Sequence, residues 1–164
     1  MASDVYLQIE GVKGESNDAG HVGWIEVDAV DWGVIQPTSS TATTAGGHTI
    51  GRAVFDAIRV TKTVDLASPK LMELVAQGKT IPKAKLEFFR SDGSGPIKYY
   101  EVTLENVLLS SNRKSYGGGG LVVDQFTLHY SKIVERYTQQ KIGGGTGGNT
   151  AGGWDLATNK TVAN

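Results

Sequence analysis

The stretch IKYYEVTLENVLLSSN (97–112) and its later companion LVVDQFTLHYSKIVERYTQ (121–139) decide the fold. In the first, Tyr100, Val102, Leu104 and Leu108 share one parity, against Tyr99, Glu101, Thr103 and Glu105 on the other. In the second, Val122, Phe126, Leu128, Tyr130 and Val134 oppose Gln125, Thr127, His129, Ser131 and Glu135. Alternation of period two marks a half-buried strand. Held straight, each stretch would reach roughly 50 Å, whereas a domain of this length is only about 40 Å across. The strands must therefore curve strongly, as in a barrel, or run beyond the domain body. A barrel also removes the exposed edges that invite uncontrolled pairing.

Working outward, the same alternation recurs. Val5, Leu7 and Ile9 oppose Tyr6, Gln8 and Glu10, while Ala84, Leu86 and Phe88 oppose Lys83, Lys85 and Glu87. Further strands are expected at 23–35, at 52–64 and near Trp154–Leu156. In WIEVDAVDW (24–32) the parity is mixed, so either a bulge switches the faces or both faces touch protein. One segment has helical spacing: Leu71, Leu74 and Val75 follow Ser68-Pro69 and precede Gly78. Serine suits the cap, proline the first turn and glycine the left-handed stop, which predicts a helix over about 69–77. Its apolar face should plug one end or side of the barrel.

The expected fold class is thus mainly β: a small barrel of two curved antiparallel sheets, one flanking helix and a long loop at about 36–53. The whole chain, 1–164, reads as one domain. Thirteen of its 22 glycines cluster at 46–47, 117–120, 143–148 and 152–153. The stretch at about 143–153 is expected to be a connector leading to a C-terminal strand.

Composition narrows the function classes. There are no cysteines, so disulfides, thiolate metal sites and a cysteine nucleophile are excluded. A net charge of −1 with 20% charged residues supplies no basic field for nucleic acid or anionic membrane. No apolar run approaches the ~20 residues of a membrane helix, and the opening MASDVYLQIEG does not read as a secretory signal. Neither a nucleic-acid partner nor membrane insertion is expected.

The apparent chemical motifs dissolve on inspection. Gly78-Lys79-Thr80 resembles the end of a phosphate-binding loop, but Glu73 stands where that motif needs glycine, and a helix precedes it instead of a strand. Gly143, Gly145 and Gly148 satisfy a dinucleotide spacing inside a glycine run, with no βαβ unit around them. His21, His48 and His129 lack partners at ligand spacing and read as surface residues. Asp92-Gly93-Ser94-Gly95 reads as a hairpin turn. No catalytic, cofactor-binding or metal residues are expected, and no enzymatic activity. QPTSSTATTAGGHTIGRA (36–53) is long, nearly uncharged and aperiodic. Such a segment is either disordered or ordered against another copy.

Several blocks, in order, resemble the Hcp (haemolysin-coregulated protein) family of bacterial type VI secretion. They are DVYLQIEGVKGES (4–16), the pair Trp32-Gly33 and KTVDLASPKLMELVAQGKTIPKAKLEF (62–88) with its Lys62, Asp65, Ser68-Pro69, Leu71 and Gly78. YYEVTLENVLLSS (99–111), DQFTLHYSKIVERYTQQ (124–140) and GWDLATNK (153–160) continue the series to the end. The resemblance implies an inner-tube subunit. Six copies would close into a ring, and rings would stack into a channel ejected by a contractile sheath, carrying a spike protein and small effectors. It implies that the segment 36–53 helps subunits or rings engage, with Thr38, Thr44, Gly46, Gly47, His48 and Thr49 as candidate contacts. Asp31 and Ser131, mid-strand on polar or ambiguous parity, are candidate channel-facing contacts for cargo. It also implies assembly in the bacterial cytoplasm and release without a signal peptide. A bacteriophage-type tail-tube subunit, or a glycan- or peptide-binding β-sandwich, are the alternatives.

Overall fold

The computed structural model describes residues 3–43, 47–49 and 51–162. The first half of the chain forms β1 (Ser3–Ile9), β2 (Ile25–Glu26), β3 (Ala29–Asp31), β4 (Val34–Ile35), β5 (Thr38–Thr43), β6 (Gly47–Thr49), β7 (Val54–Phe55) and β8 (Ile58–Thr63). The helix α1 (Ser68–Gln77) comes next. The second half forms β9 (Ile81–Ser91), β10 (Pro96–Ser115), β11 (Val123–His129), β12 (Lys132–Gln140), β13 (Thr146–Asp155) and β14 (Lys160–Thr161). Hydrogen-bonded neighbours run from β14 through β13, β12, β10, β11 and β8 to β3; β9 also pairs with β10, and β1 and β2 continue from it. The mainly β fold with curled antiparallel sheets and one short helix is as the alternation predicts.

The 20-residue β10 carries the curl. Its first part pairs with β12 from Tyr100 to Glu105, and its last part pairs with β11 from Leu108 to Ser115. Bulges interrupt the register between Lys98 and Tyr100 and between Leu109 and Ser111. Asn106 takes a left-handed backbone, φ 51°, a conformation asparagine tolerates better than most residues. It swaps the buried parity, so Val102 and Leu104 are followed inward by Val107 and Leu109. This corrects the expected inward placement of Leu108, which is half-buried. The companion stretch likewise breaks at Ser131, which separates β11 from β12. Ile133 is therefore buried in place of the expected Val134.

The mixed parity of 24–32 is a corner. Val27 donates its amide to Val5 O at 3.0 Å, and the next residue, Asp28, donates to Thr61 O at 2.9 Å. Adjacent amides thus bind different sheets, and the buried side changes from Ile25 and Val27 to the half-buried Val30 and Trp32.

The core gathers Leu7, Ile9, Ile58, Val60, Leu86 and Phe126 among others, all essentially inaccessible. Helix α1 buries Leu71 and Leu74 against it and ends at Gly78, φ 61°, whose amide reaches Leu74 O and Val75 O. Pro69 occupies the first turn as expected, but Ser68 is not the cap. Ala67 holds that position without a side-chain bond, and the Ser68 hydroxyl is buried in a polar cluster described below.

Two glycine-rich or aperiodic segments are strands. The expected loop 36–53 contains the β5–β6 hairpin, with Thr38 opposite Thr49 and Thr43 opposite Gly47. Its β-branched threonines favour extended backbone, but its sequence carries no apolar alternation that would reveal it. The expected connector 143–153 is mostly β13. A Cβ on Gly153 would lie 2.9 Å from both Ile133 O and Val134 Cγ2, so the strand needs glycine where backbones approach closely.

Candidate functional site

Along β9 and β10 the fold has two unlike ends. Near Ile81 and Val107 it is covered by α1. Seven residues away, near Phe88 and Tyr100, it stays open. There Trp32, Gly33 and Val34 meet Phe55 from β7, Tyr100 from β10, Ile133 and Glu135 from β12, and Gly152 to Trp154 from β13. Together they line a groove of about 430 Å³. The inward parity of β12 runs Ile133, Glu135, Tyr137, which carries a carboxylate to the groove wall. Glu135 Oε1 accepts the Trp32 Nε1–H at 2.5 Å and Oε2 accepts the Tyr100 hydroxyl at 2.6 Å. Burial, then the bond to Glu135, pushes the Tyr100 hydroxyl far above the usual tyrosine range. Among the described residues no lysine, arginine or histidine forms an ion pair with Glu135. The Trp32 ring tilts against Phe88 and Tyr100 at 5.9 and 6.3 Å between centroids.

Above the groove stands the candidate contact segment. The strands β5 and β6 pair with each other and, among the described residues, with no third strand; β4 and β7 do the same. Thr38 and His48 are exposed, and Gly47 takes φ 66° beside the turn. Thr49 lies in the ladder opposite Thr38; Thr44 and Gly46 lie outside the described residues. At the base of the arm Val34, Ile35 and Val54 are 55%, 61% and 55% exposed. An isolated two-stranded ladder is marginal in water.

Asp31 and Ser131 are not brought together. Asp31 is exposed on β3, at one end of the sheet, beside Arg59, Thr61, Arg113, Gln125 and Thr127 along a shallow polar cleft. Ser131 sits at the break between β11 and β12. Its hydroxyl accepts from Asn106 Nδ2 at 2.9 Å and donates to Glu105 O at 3.3 Å, so it staples the bend.

Two polar residues escaped the sequence reading. His21 is buried, contrary to its surface assignment: Nδ1 lies 2.6 Å from Asp18 Oδ2 and Nε2 lies 2.7 Å from Glu87 Oε2. Its ring stacks on Tyr6 at 4.4 Å. The bond from His21 holds the Asp18 carboxyl below the usual range. Asp18, three residues before His21, was a local signal; Glu87 is 66 positions away and gave none. Lys62 is wholly buried, with Nζ 2.7 Å from Asp65 Oδ1, 2.8 Å from Ser68 Oγ and 3.3 Å from Asp124 Oδ2. Its signal was parity, since it continues the inward series Ile58, Val60. Burial raises the Asp124 carboxyl, but hydrogen bonds from Ser68 and Asn112 and the charge of Lys62 outweigh it and hold it below the usual range. His129 is exposed as expected. Among the described residues no group of His, Asp and Glu side chains could hold a metal ion, and no helix is long and apolar enough to cross a membrane.

Fold and surface define a class: a mainly β protein with two separate two-stranded ladders and an open aromatic groove. The family model described as "Type VI secretion system effector, Hcp" matches residues 6–137, and the chain belongs to that family. It is 34% identical over 161 residues to "Protein hcp1" of Pseudomonas aeruginosa, covering 97% of this chain and 98% of that one. A solved structure described as a type six secretion system protein superposes with a TM-score of 0.90 at 32% identity, over 98% of this chain and all of the other. The crystal structure of Hcp1 from Salmonella typhimurium gives 0.76 at 26% identity, over 99% of this chain and 100% of that one.

Proposed function

We propose that this chain is the building block of a type VI secretion inner tube: six copies close into a ring, and rings stack into a channel that a contractile sheath expels with its spike and effectors. The observation that carries this is the pair of two-stranded ladders that have no third strand among the described residues, with Val34, Ile35 and Val54 exposed at their base. Ladders of that size gain stability by packing on something, and exposed apolar side chains gathered in one place mark a contact surface. Family membership makes a second copy the natural partner, and favours a secretion tube over a phage tail tube or a glycan-binding sandwich. In a closed ring each subunit offers one face to one neighbour and a different face to the other. The polar cleft carrying Asp31 suits the wall of a water-filled passage, and we assign cargo contact to that face. The junction serine, Ser131, belongs to the same proposal only if its staple opens.

Native mass measurement with negative-stain imaging tests the assembly. Six-membered rings with a central hole are expected at micromolar concentration. A single-copy particle at every concentration tried would remove the proposal. For cargo, Asp31→Trp should reduce co-purified effector while ring mass is unchanged; loss of both together would count against the assignment.

A further inference from the structure

The turn that joins β12 to β13 meets the rest of the chain through Asp92, whose carboxylate accepts the Gly145 amide and lies near Gly144, while its tip points away from any contact of that kind. Ile142, at its tip, is 109% exposed, more open than in an extended reference chain. Lys141 beside it is exposed and forms no ion pair among the described residues. The turn is nevertheless rigid. Lys141 N–H bonds Gly145 O and Gly144 N–H bonds Lys141 O, both at 3.0 Å, while Gly144 and Gly145 take φ 91° and 81°. Ile142 thus stands as an apolar knob on a hydrogen-bonded tip, with a cation next to it.

The groove at the open end offers the complement. Trp32, Phe55, Ile133 and Trp154 supply apolar wall, Gly152 leaves room with nothing within 4 Å of an added Cβ, and Glu135 brings a carboxylate with no ion-pair partner among the described residues. Neutral donors satisfy its oxygens, but its charge still favours a nearby cation. Aromatic pockets of this composition are the usual energetic centres of protein contacts. The chain cannot fill its own groove with its own tip. Glu135 and Ile142 are separated by seven residues of β12 and its turn, roughly 20 Å of extended chain, and cross-strand pairing with β13 keeps β12 extended.

We infer that the Lys141–Ile142 turn of one copy docks in the Trp32–Glu135–Trp154 groove of the next. Ile142 takes the apolar wall and Lys141 approaches Glu135. Knob and groove are different surfaces of the same chain, so the contact is head-to-tail and generates a ring or an open filament instead of a closed pair. This deepens the ring reading and rests on it: it names the surfaces that meet.

Because the chain has no cysteine, paired-cysteine trapping reads the contact without background. Val34→Cys and Ile142→Cys are prepared separately, both at exposed positions, mixed and mildly oxidised. The mixture should give covalent dimer well above either variant alone, and the double variant should give covalent chains up to the ring size. Native mass measured on the same samples separates the two levels of the claim. Rings without excess cross-linking overturn the docking and leave the ring standing; no rings in the unmodified protein overturn both. Ile142→Asp adds an energetic reading. The concentration of half-assembly should rise about tenfold or more, as for an interface anchor, and an unchanged value overturns the docking.

Discussion

The two ends of this fold each hold a carboxylate on β-strand walls, and they treat it differently. At the helix end Asp124 is inaccessible and lies against the ammonium of a wholly buried Lys62, with α1 closing over both. At the open end Glu135 accepts from the neutral donors Trp32 and Tyr100, has no ion pair among the described residues, and faces a groove. One charge is compensated inside the chain, the other is left available. The difference separates a part that secures the fold from a part free to take a partner.

Breaking the sealed end should have the larger effect. Asp124→Ala leaves Lys62 buried with one carboxylate fewer, and removing one partner of a buried pair costs about 3–5 kcal/mol; urea denaturation at neutral pH measures it. If Asp124→Ala costs under about 1 kcal/mol, the cluster does not hold the helix end together. Replacing both partners, Lys62→Met with Asp124→Leu, should recover much of the loss, because a packed apolar pair avoids the desolvation of two charges.

At the open end Tyr100→Phe removes one hydrogen bond to a charged group. A cost of about 1–2 kcal/mol in monomer stability is expected from urea denaturation. The glycines beside it sharpen the contrast further. Gly153→Ala presses a methyl on Ile133 O and Val134 Cγ2 at 2.9 Å and should cost about 1–3 kcal/mol. Gly152→Ala, with open space around it, should stay within about 0.5 kcal/mol as a monomer. Equal effects at both positions would contradict the packing described.

The smallest effect is also the most selective, because the two ends should fail at opposite limits of pH. The Asp124 carboxyl is held low in the folded protein, so its contribution is full above the unfolded aspartate pKa of about 3.9 and is lost as acid protonates the folded group. The Tyr100 hydroxyl is held high, so its contribution is full below the unfolded tyrosine pKa of about 10 and is lost only as pH climbs beyond that. Thermal melts should lose an acid-limb component in Asp124→Asn and an alkaline-limb component in Tyr100→Phe. If each variant altered the other limb, these assignments would be reversed.

How far the sequence revealed this molecule depends on what each residue faces. Alternation exposed β1, β9 and β10 because one side of each meets the core and the other meets water. It failed at Asn106 and Ser131, where a single residue switches the buried side; period-two counting cannot register a residue that does not alternate. The β5–β6 hairpin escaped because, His48 apart, its sequence is threonine, serine, alanine and glycine with no apolar–polar alternation. In β13 the sequence carries glycine where backbone crowding demands it, and composition alone makes that look like a tether. Lys62 could have been found as a charge on inward parity. Glu135 shares a parity with Gln125 and Ser131 on the far side of the switch at Ser131, which is why it looked solvated. The groove it serves is assembled from five strands, β4, β7, β10, β12 and β13, and has no local signature.

The corner at Val27–Asp28 and the strand β10 have a mechanical consequence. A backbone that belongs to both sheets, tied to each by neighbouring amides, offers no seam along which one sheet can peel away while the other survives. Hydrogen exchange should therefore show both sheets opening together. A chain so made resists a sideways pull as one piece until it gives way altogether.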